Sequence, residues 1–168
     1  MKKLILMLML FAPITLFAQQ AKFGHCDTQS IMSAMPEFIK AKADVEVVQK
    51  QKEDELKAMQ DEFQRKVEEY QKTQSTMNET KRKETEESLA QMQQKLQQAY
   101  QDGQQELGKL SQEKMAPIQQ KLVSAIQAVG KAGGYVYIMD VASGVPYIST
   151  TLSKDVTAEI KAQLSKMK

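Results

Sequence analysis

The chain has 168 residues, with 23 Lys and Arg against 21 Asp and Glu; 42% of it is apolar and 6% aromatic, and it holds one His, one Cys and no Trp. A zinc site needs about three or four converging His, Cys or carboxylate ligands, and a Ser-His-Asp or Cys-His centre would have to be built on His25 alone. Composition therefore points away from an enzyme and from a metal or other cofactor, and the evenly mixed charges offer no clustered basic face for nucleic acid.

Residues 1–18 read as a cleavable secretory signal peptide. Met1-Lys2-Lys3 is a short positive segment, and Leu4 to Phe17 is an apolar run of about 14 residues, short of the ~18 to 20 needed to span a bilayer. Cleavage after Ala18 leaves a mature chain with basic and acidic residues equal in number, at 21 each. No Cys directly follows the apolar run, which argues against a lipoprotein. With Cys26 alone in an oxidising compartment there is no internal disulfide, and it is expected to be a small buried residue.

Ala21-Lys22-Phe23-Gly24-His25-Cys26-Asp27 reads as a short strand, followed by a brief amphipathic helix through Ile31 and Met32 up to Pro36. Residues 37–115 then hold no Pro and only Gly103 and Gly108, within a dense supply of Gln, Glu, Lys, Leu, Met and Ala, all good helix formers. Phe38, Ala41, Val45, Val48, Leu56, Met59, Phe63, Val67 and Tyr70 recur at steps of three and four. Leu89, Met92, Leu96, Ala99, Gly103, Leu107 and Leu110 repeat the pattern, which carries on through Met115, Ile118, Leu122, Ala125 and Val129. Each stripe covers about two positions in seven, the width of a coiled-coil seam. Between the two seams, Thr73-Gln74-Ser75-Thr76-Met77-Asn78-Glu79-Thr80 favours turns and caps over helix interior. The segment is expected to form an antiparallel helical hairpin with its tip near 74–81, bracketed by Pro36 and Pro117, each arm reaching ~50 to 60 Å. Lys52 and Glu55 interrupt the first seam, which with Gly103 and Gly108 opposite suggests arms that pair loosely and open as units.

A projecting hairpin needs a base, and residues 19–36 and 116–168 supply it. Gly133-Gly134 is a helix cap and turn, and Tyr135-Val136-Tyr137-Ile138-Met139 is the strongest strand signal in the chain. Ala142-Ser143-Gly144 reads as a turn and Pro146-Tyr147-Ile148-Ser149 as a further short strand, with Tyr135, Tyr137 and Tyr147 packing the strand body. Val156, Ile160, Leu164 and Met167 place an apolar stripe on a terminal helix capped by Asp155 or Thr157. The fold class is mainly α with a small β body, too small for a strong core of its own and suited to oligomerisation.

The order of leader, strand, Asp27-Thr28-Gln29-Ser30-Ile31-Met32 and Met35-Pro36-Glu37, long hairpin, Tyr135-Val136-Tyr137-Ile138-Met139-Asp140 and terminal Asp155-Val156-Thr157-Ala158-Glu159-Ile160 resembles the Skp (OmpH) family of periplasmic chaperones. The resemblance covers the whole mature chain. It implies a periplasmic homotrimer whose strands assemble into one β body, with hairpins extending like tentacles around a cavity that holds unfolded outer-membrane proteins. The neutral mature chain departs from the strongly basic members of that family.

No GxxxxGK[ST] loop is present, so capture and release would run on binding equilibrium. Soft Met side chains along the hairpin suit adaptable contact; Met59, Met92 and Met115 are expected in the seam, and Met77 exposed near the tip. Met77, Lys81, Arg82 and Lys83 are the candidate tip contacts, the three cations within reach of a membrane surface or lipopolysaccharide phosphate, although Glu79, Glu84, Glu86 and Glu87 surround them. The competing reading is a structural or adaptor coiled coil of the cell envelope.

Overall fold

The computed structural model describes residues 21–167, so the leader expected at 1–18 lies outside the described residues. Strand β1 (Lys22–Cys26) leads into helix α1 (Thr28–Ser33), which starts where the Asp27 carboxylate accepts the Ser30 amide at 2.8 Å. Helix α2 (Pro36–Thr73) opens with Pro36 in its first turn, where a missing N–H costs nothing. Its 38 residues rise ~57 Å. A single 3-10 turn, Gln74–Thr76, reverses the chain, and Asn78 caps helix α3 (Glu79–Gly133) by accepting the Lys81 amide at 2.8 Å.

Pro117 does not end this helix, as a bracketing role would require; it lies inside α3. Its ring is on the exposed side, so the carbonyl it leaves without an amide partner faces water. The helix stops instead at Gly134, whose φ of 66° is the left-handed conformation that glycine adopts without strain. A side chain on the preceding Gly133 would meet the Tyr135 ring at 2.3 Å.

Strand β2 (Tyr135–Asp140) follows, and strand β3 (Ser153–Asp155) and helix α4 (Thr157–Leu164) complete the chain. The sheet order is β2-β1-β3, and β1 runs parallel to both neighbours. The whole α2–α3 hairpin is therefore inserted as the crossover between two adjacent parallel strands. Lys22 pairs with Tyr135 and Phe23 with Tyr137, so Val136 is an extra residue in β2. That bulge turns Tyr135 and Ile138 toward the helices and leaves Tyr137 and Met139 exposed. The core gathers Cys26 of β1, Ile31, Met35, Ala41, Ile118, Leu122, Ala125, Ile160 and Leu164 from the four helices and their caps, and Val156 before α4. Cys26 is buried as expected, and burial, with Asp140, Asp155 and Asp27 nearby, pushes its thiol up to about 11.

The strand expected at Pro146–Ser149 is not formed; the third strand is Ser153–Asp155. Pro146 brings no N–H to a ladder, and the Ser149 hydroxyl accepts the amides of Thr151 and Leu152, a local turn that competes with strand pairing. Tyr147 consequently stands 79% exposed and does not pack the strand body. At the start of α4, the Asp155 carboxylate accepts the Thr157 amide, while the Thr157 hydroxyl accepts the Asp27 amide and ties α4 to β1.

Asp140 clasps the base. Its carboxylate accepts the Thr28 amide and hydroxyl, at 3.2 and 2.6 Å, the Ala142 amide at 3.0 Å and the Ser143 hydroxyl at 3.2 Å. Burial pushes this carboxyl up, but the hydrogen bonds outweigh it and hold it below the usual range. Its contribution is thus present above the unfolded-state value and lost as pH falls through the folded one. Asp140→Ala is expected to lower stability in urea by about 1–2 kcal/mol, and Asp140→Asn to flatten the loss of stability below pH ~4. An Asp140→Ala midpoint equal to that of the parent chain would show that the clasp contributes nothing.

Candidate functional site

Along the hairpin, the facing side chains are only half covered. Val45, Val48, Leu56, Met59, Phe63 and Val67 on α2, and Leu89, Met92, Leu96, Ala99 and Leu107 on α3, all keep partial contact with water. Ala41 and Gly103 are buried, but two helices alone cannot enclose a seam, so apolar surface stays available along most of the arm.

Among the described residues, ion pairs between the arms are confined to the half near the base. Lys121 meets Glu37 at 2.6 Å, Lys114 meets Asp44 at 2.6 Å and Lys52 meets Glu106 at 3.0 Å. The lysine hydrogen bonds hold Glu37 and Asp44 below their ordinary range, and Glu106 holds Lys52 above its own. Beyond Lys52, the side-chain hydrogen bond between the arms among the described residues is from the Tyr70 hydroxyl to Glu86. Lys52 sits in the seam itself, its Cβ 3.9 Å from where a side chain on Gly103 would begin. Its aliphatic stem replaces an apolar knob, while its ammonium reaches the rim. Gly108, by contrast, faces open space and takes no part in the seam.

At the tip, Met77 is half-buried where exposure was expected. It lines a groove of about 340 Å³ between the helices, together with Tyr70, Leu89 and Met92. The splayed reversal leaves this space, and Met77 folds back to cover part of it. Lys81 reaches the same groove and pairs with Glu84 at 3.4 Å; Lys66 on the opposite rim pairs with Glu69 at 3.8 Å. Of the four expected tip contacts, Met77 and Lys81 thus share one groove. Arg82 and Lys83 are exposed outside its lining.

A second surface, at the base, was not singled out from the sequence. The Phe23 and Tyr137 rings stack at 4.9 Å on the sheet face away from the core, where Tyr137 is 49% exposed and Met139 40%. Val136, Val141, Tyr147 and Leu152 are further exposed apolar side chains of the base, and β2 has a strand partner on one side only. Expecting Tyr137 to pack the strand body like Tyr135 concealed this face, because a bulge leaves no mark in the residue types themselves. His25, half-buried on β1, lies with Nδ1 2.9 Å from the Ser153 hydroxyl. Among the described residues, no group of His, Cys, Asp and Glu could hold a metal ion, and no helix is long and apolar enough to cross a membrane.

The family model described as "Outer membrane protein (OmpH-like)" matches residues 22–164. No curated protein matches the chain. Among solved structures, a crystal structure of an OmpH-like outer membrane chaperone from Caulobacter crescentus CB15 aligns with a TM-score of 0.72 at 16% identity, covering 87% of this chain and 85% of that one. At that identity the likeness speaks to the fold.

Lys52→Leu, which restores an apolar knob over Gly103, is expected to slow amide exchange in residues 48–60 and 99–110 by roughly tenfold if the distal arms open from this point. Exchange unchanged from the parent chain would place the opening elsewhere.

Proposed function

The chain belongs to the OmpH-like family, and on that premise we propose that it is an ATP-independent holdase chaperone that keeps unfolded outer-membrane proteins soluble while they cross the periplasm. The observation that carries this reading is the arm: a helical pair rising ~57 Å whose apolar seam is half covered along its length. An unfolded barrel strand is apolar at alternate residues. It needs a partner that offers apolar contact without one fixed shape. Methionines at 59, 77 and 92 provide that, since an unbranched thioether adapts to many contours. Between Leu89 and Gln105 the outer face of α3 is mainly Gln, with Lys95 and Asp102 its charged residues, so a bound chain there has few ions to strip of water.

Residues 19–36 and 116–168 act as the base and 37–115 as the arm, with residues 1–18 removed on export. Copies associate through the outer sheet face around Phe23, Tyr137 and Met139, forming a homotrimer with the arms around a shared cavity. Association would cover the exposed aromatics and the free edge of β2, a common fate for such surfaces. Met77, Lys81, Arg82 and Lys83 make the outermost contacts, to a client or to phosphate groups of lipopolysaccharide at the membrane surface. No cofactor and no nucleotide takes part; weak contacts at many points let the client leave when its own folding competes.

Light-scattering mass after size exclusion tests both parts. The protein alone is expected at three times the chain mass, and mixed with a urea-unfolded outer-membrane barrel just diluted from denaturant it is expected to gain one client mass and keep it soluble. Tyr137→Asp, which puts a charge on the outer sheet face, is expected to shift the free protein to monomer. A trimer that leaves the client to aggregate would overturn the holdase reading in favour of an envelope adaptor, and a Tyr137→Asp trimer would move the self-association off this face.

A further inference from the structure

A chain held by the arm can lie along either helix, and the two differ sharply in charge. The Lys52–Glu106 pair at 3.0 Å and the Tyr70–Glu86 hydrogen bond set residues 52–70 of α2 beside residues 86–106 of α3. Over this height α2 carries seven acidic and three basic residues between Glu53 and Glu69. Between Leu89 and Gln105, α3 carries Lys95 and Asp102 as its charged residues.

Those two charges lie away from one flank of α3. Gln93, Gln97, Tyr100 and Gln104 follow at steps of four, three and four, and all are exposed. At 3.6 residues per turn they form a single stripe. Lys95 and Asp102 each fall two positions from stripe members on either side, about 200° round the helix, so the stripe is uncharged. Leu89, Leu96 and Leu107, half-covered in the seam, stand three or four positions from stripe members and border it. Tyr100 is 56% exposed, the one large apolar side chain of the distal arm that stands open to water among the described residues. Gln98 is engaged by Asp102 at 2.8 Å, whereas Gln93, Gln97 and Gln104 take part in no side-chain hydrogen bond among the described residues.

On the premise of the holdase reading, we propose that the client lies along this stripe of α3, anchored on Tyr100, and not along α2. The lipid-facing side of a barrel strand is poor in charge, and so is the stripe. Laid on α2, the same strand would strip water from ions that it could not pair. Its apolar side fits the leucine border and its polar side the glutamines, whose amides both donate to and accept from unpaired backbone groups. Tyr100 adds a broad contact with an apolar ring and a polar tip. From Gln93 to Gln104 the stripe rises ~17 Å, the length of about five extended residues.

The test places photoreactive benzoylphenylalanine in the exported, full mature chain, in place of Gln97 or of Asp61, and mixes each with a urea-unfolded outer-membrane barrel just diluted from denaturant. Client adducts are expected to be at least about tenfold more abundant from position 97. Tyr100→Ala is expected to weaken client binding about tenfold with unchanged circular dichroism, and Tyr100→Phe to keep most of it. Gln93→Glu, Gln97→Glu and Gln104→Glu combined should weaken binding too, and more so at low salt. A client that aggregates beside the parent protein would overturn the holdase reading itself. A client kept soluble but crosslinked equally or mainly from position 61 would overturn this assignment alone, and a Tyr100→Ala affinity equal to that of the parent chain would remove the anchor.

Discussion

The parallel pairing of β1 with β2 is the contact on which the rest of the molecule depends. Cys26 and Asp140 lie in register although the entire hairpin separates them in sequence. Parallel neighbours cannot be joined by a tight turn, so a crossover is obligatory, and here the crossover is the arm. Both ends of the hairpin are thereby anchored in adjacent strands. A long helical pair with a weak seam would splay if it were held at one end only; held at both, its base is fixed and only its distal part is free.

The clasp at Asp140 and the core under the sheet serve that same anchoring. Thr28 starts the helix that leads into the arm, and Asp140 ends the strand that leaves it, so one carboxylate ties entry to exit. Beneath it, Ile118, Leu122 and Ala125 of α3 pack with Ile160 and Leu164 of α4 and Ile31 of α1. The returning helix thus enters the core before it reaches β2, and the stem of the arm is part of the base.

From the base outward, the means of holding the helices together change. Near the base there is buried apolar contact with inter-arm ion pairs; past Lys52 and Gly103 there is a half-wet seam with the Tyr70–Glu86 hydrogen bond near the tip. Exposed ion pairs add little stability in water, but they do fix which residues face each other. Register is therefore set close to the sheet, while the distal arm keeps apolar side chains that are free to exchange partners. Such a gradient suits a surface that must adapt to chains without fixed shape, since side chains already committed to a tight core could not rearrange at low cost.

Much of this was legible in the order of residues. The steps of three and four, the Ser, Thr and Asn run at the reversal, and the paired glycines before β2 are local signals, governed by propensity and capping within a few residues. The interruption at Lys52 could be read as well, because it breaks a period. The third strand could not be found that way: Pro146–Ser149 has better strand composition than Ser153–Asp155, yet the latter pairs because it lies beside β1 and leads straight into α4. Nor could the half-buried Met77 or the bulge at Val136. The sequence by itself determined where helices begin, end and present their apolar stripes, because those depend on neighbours a turn away. Which face of the sheet is left open and which strand closes it were decided only by tertiary structure, because each depends on residues brought together from opposite ends of the chain.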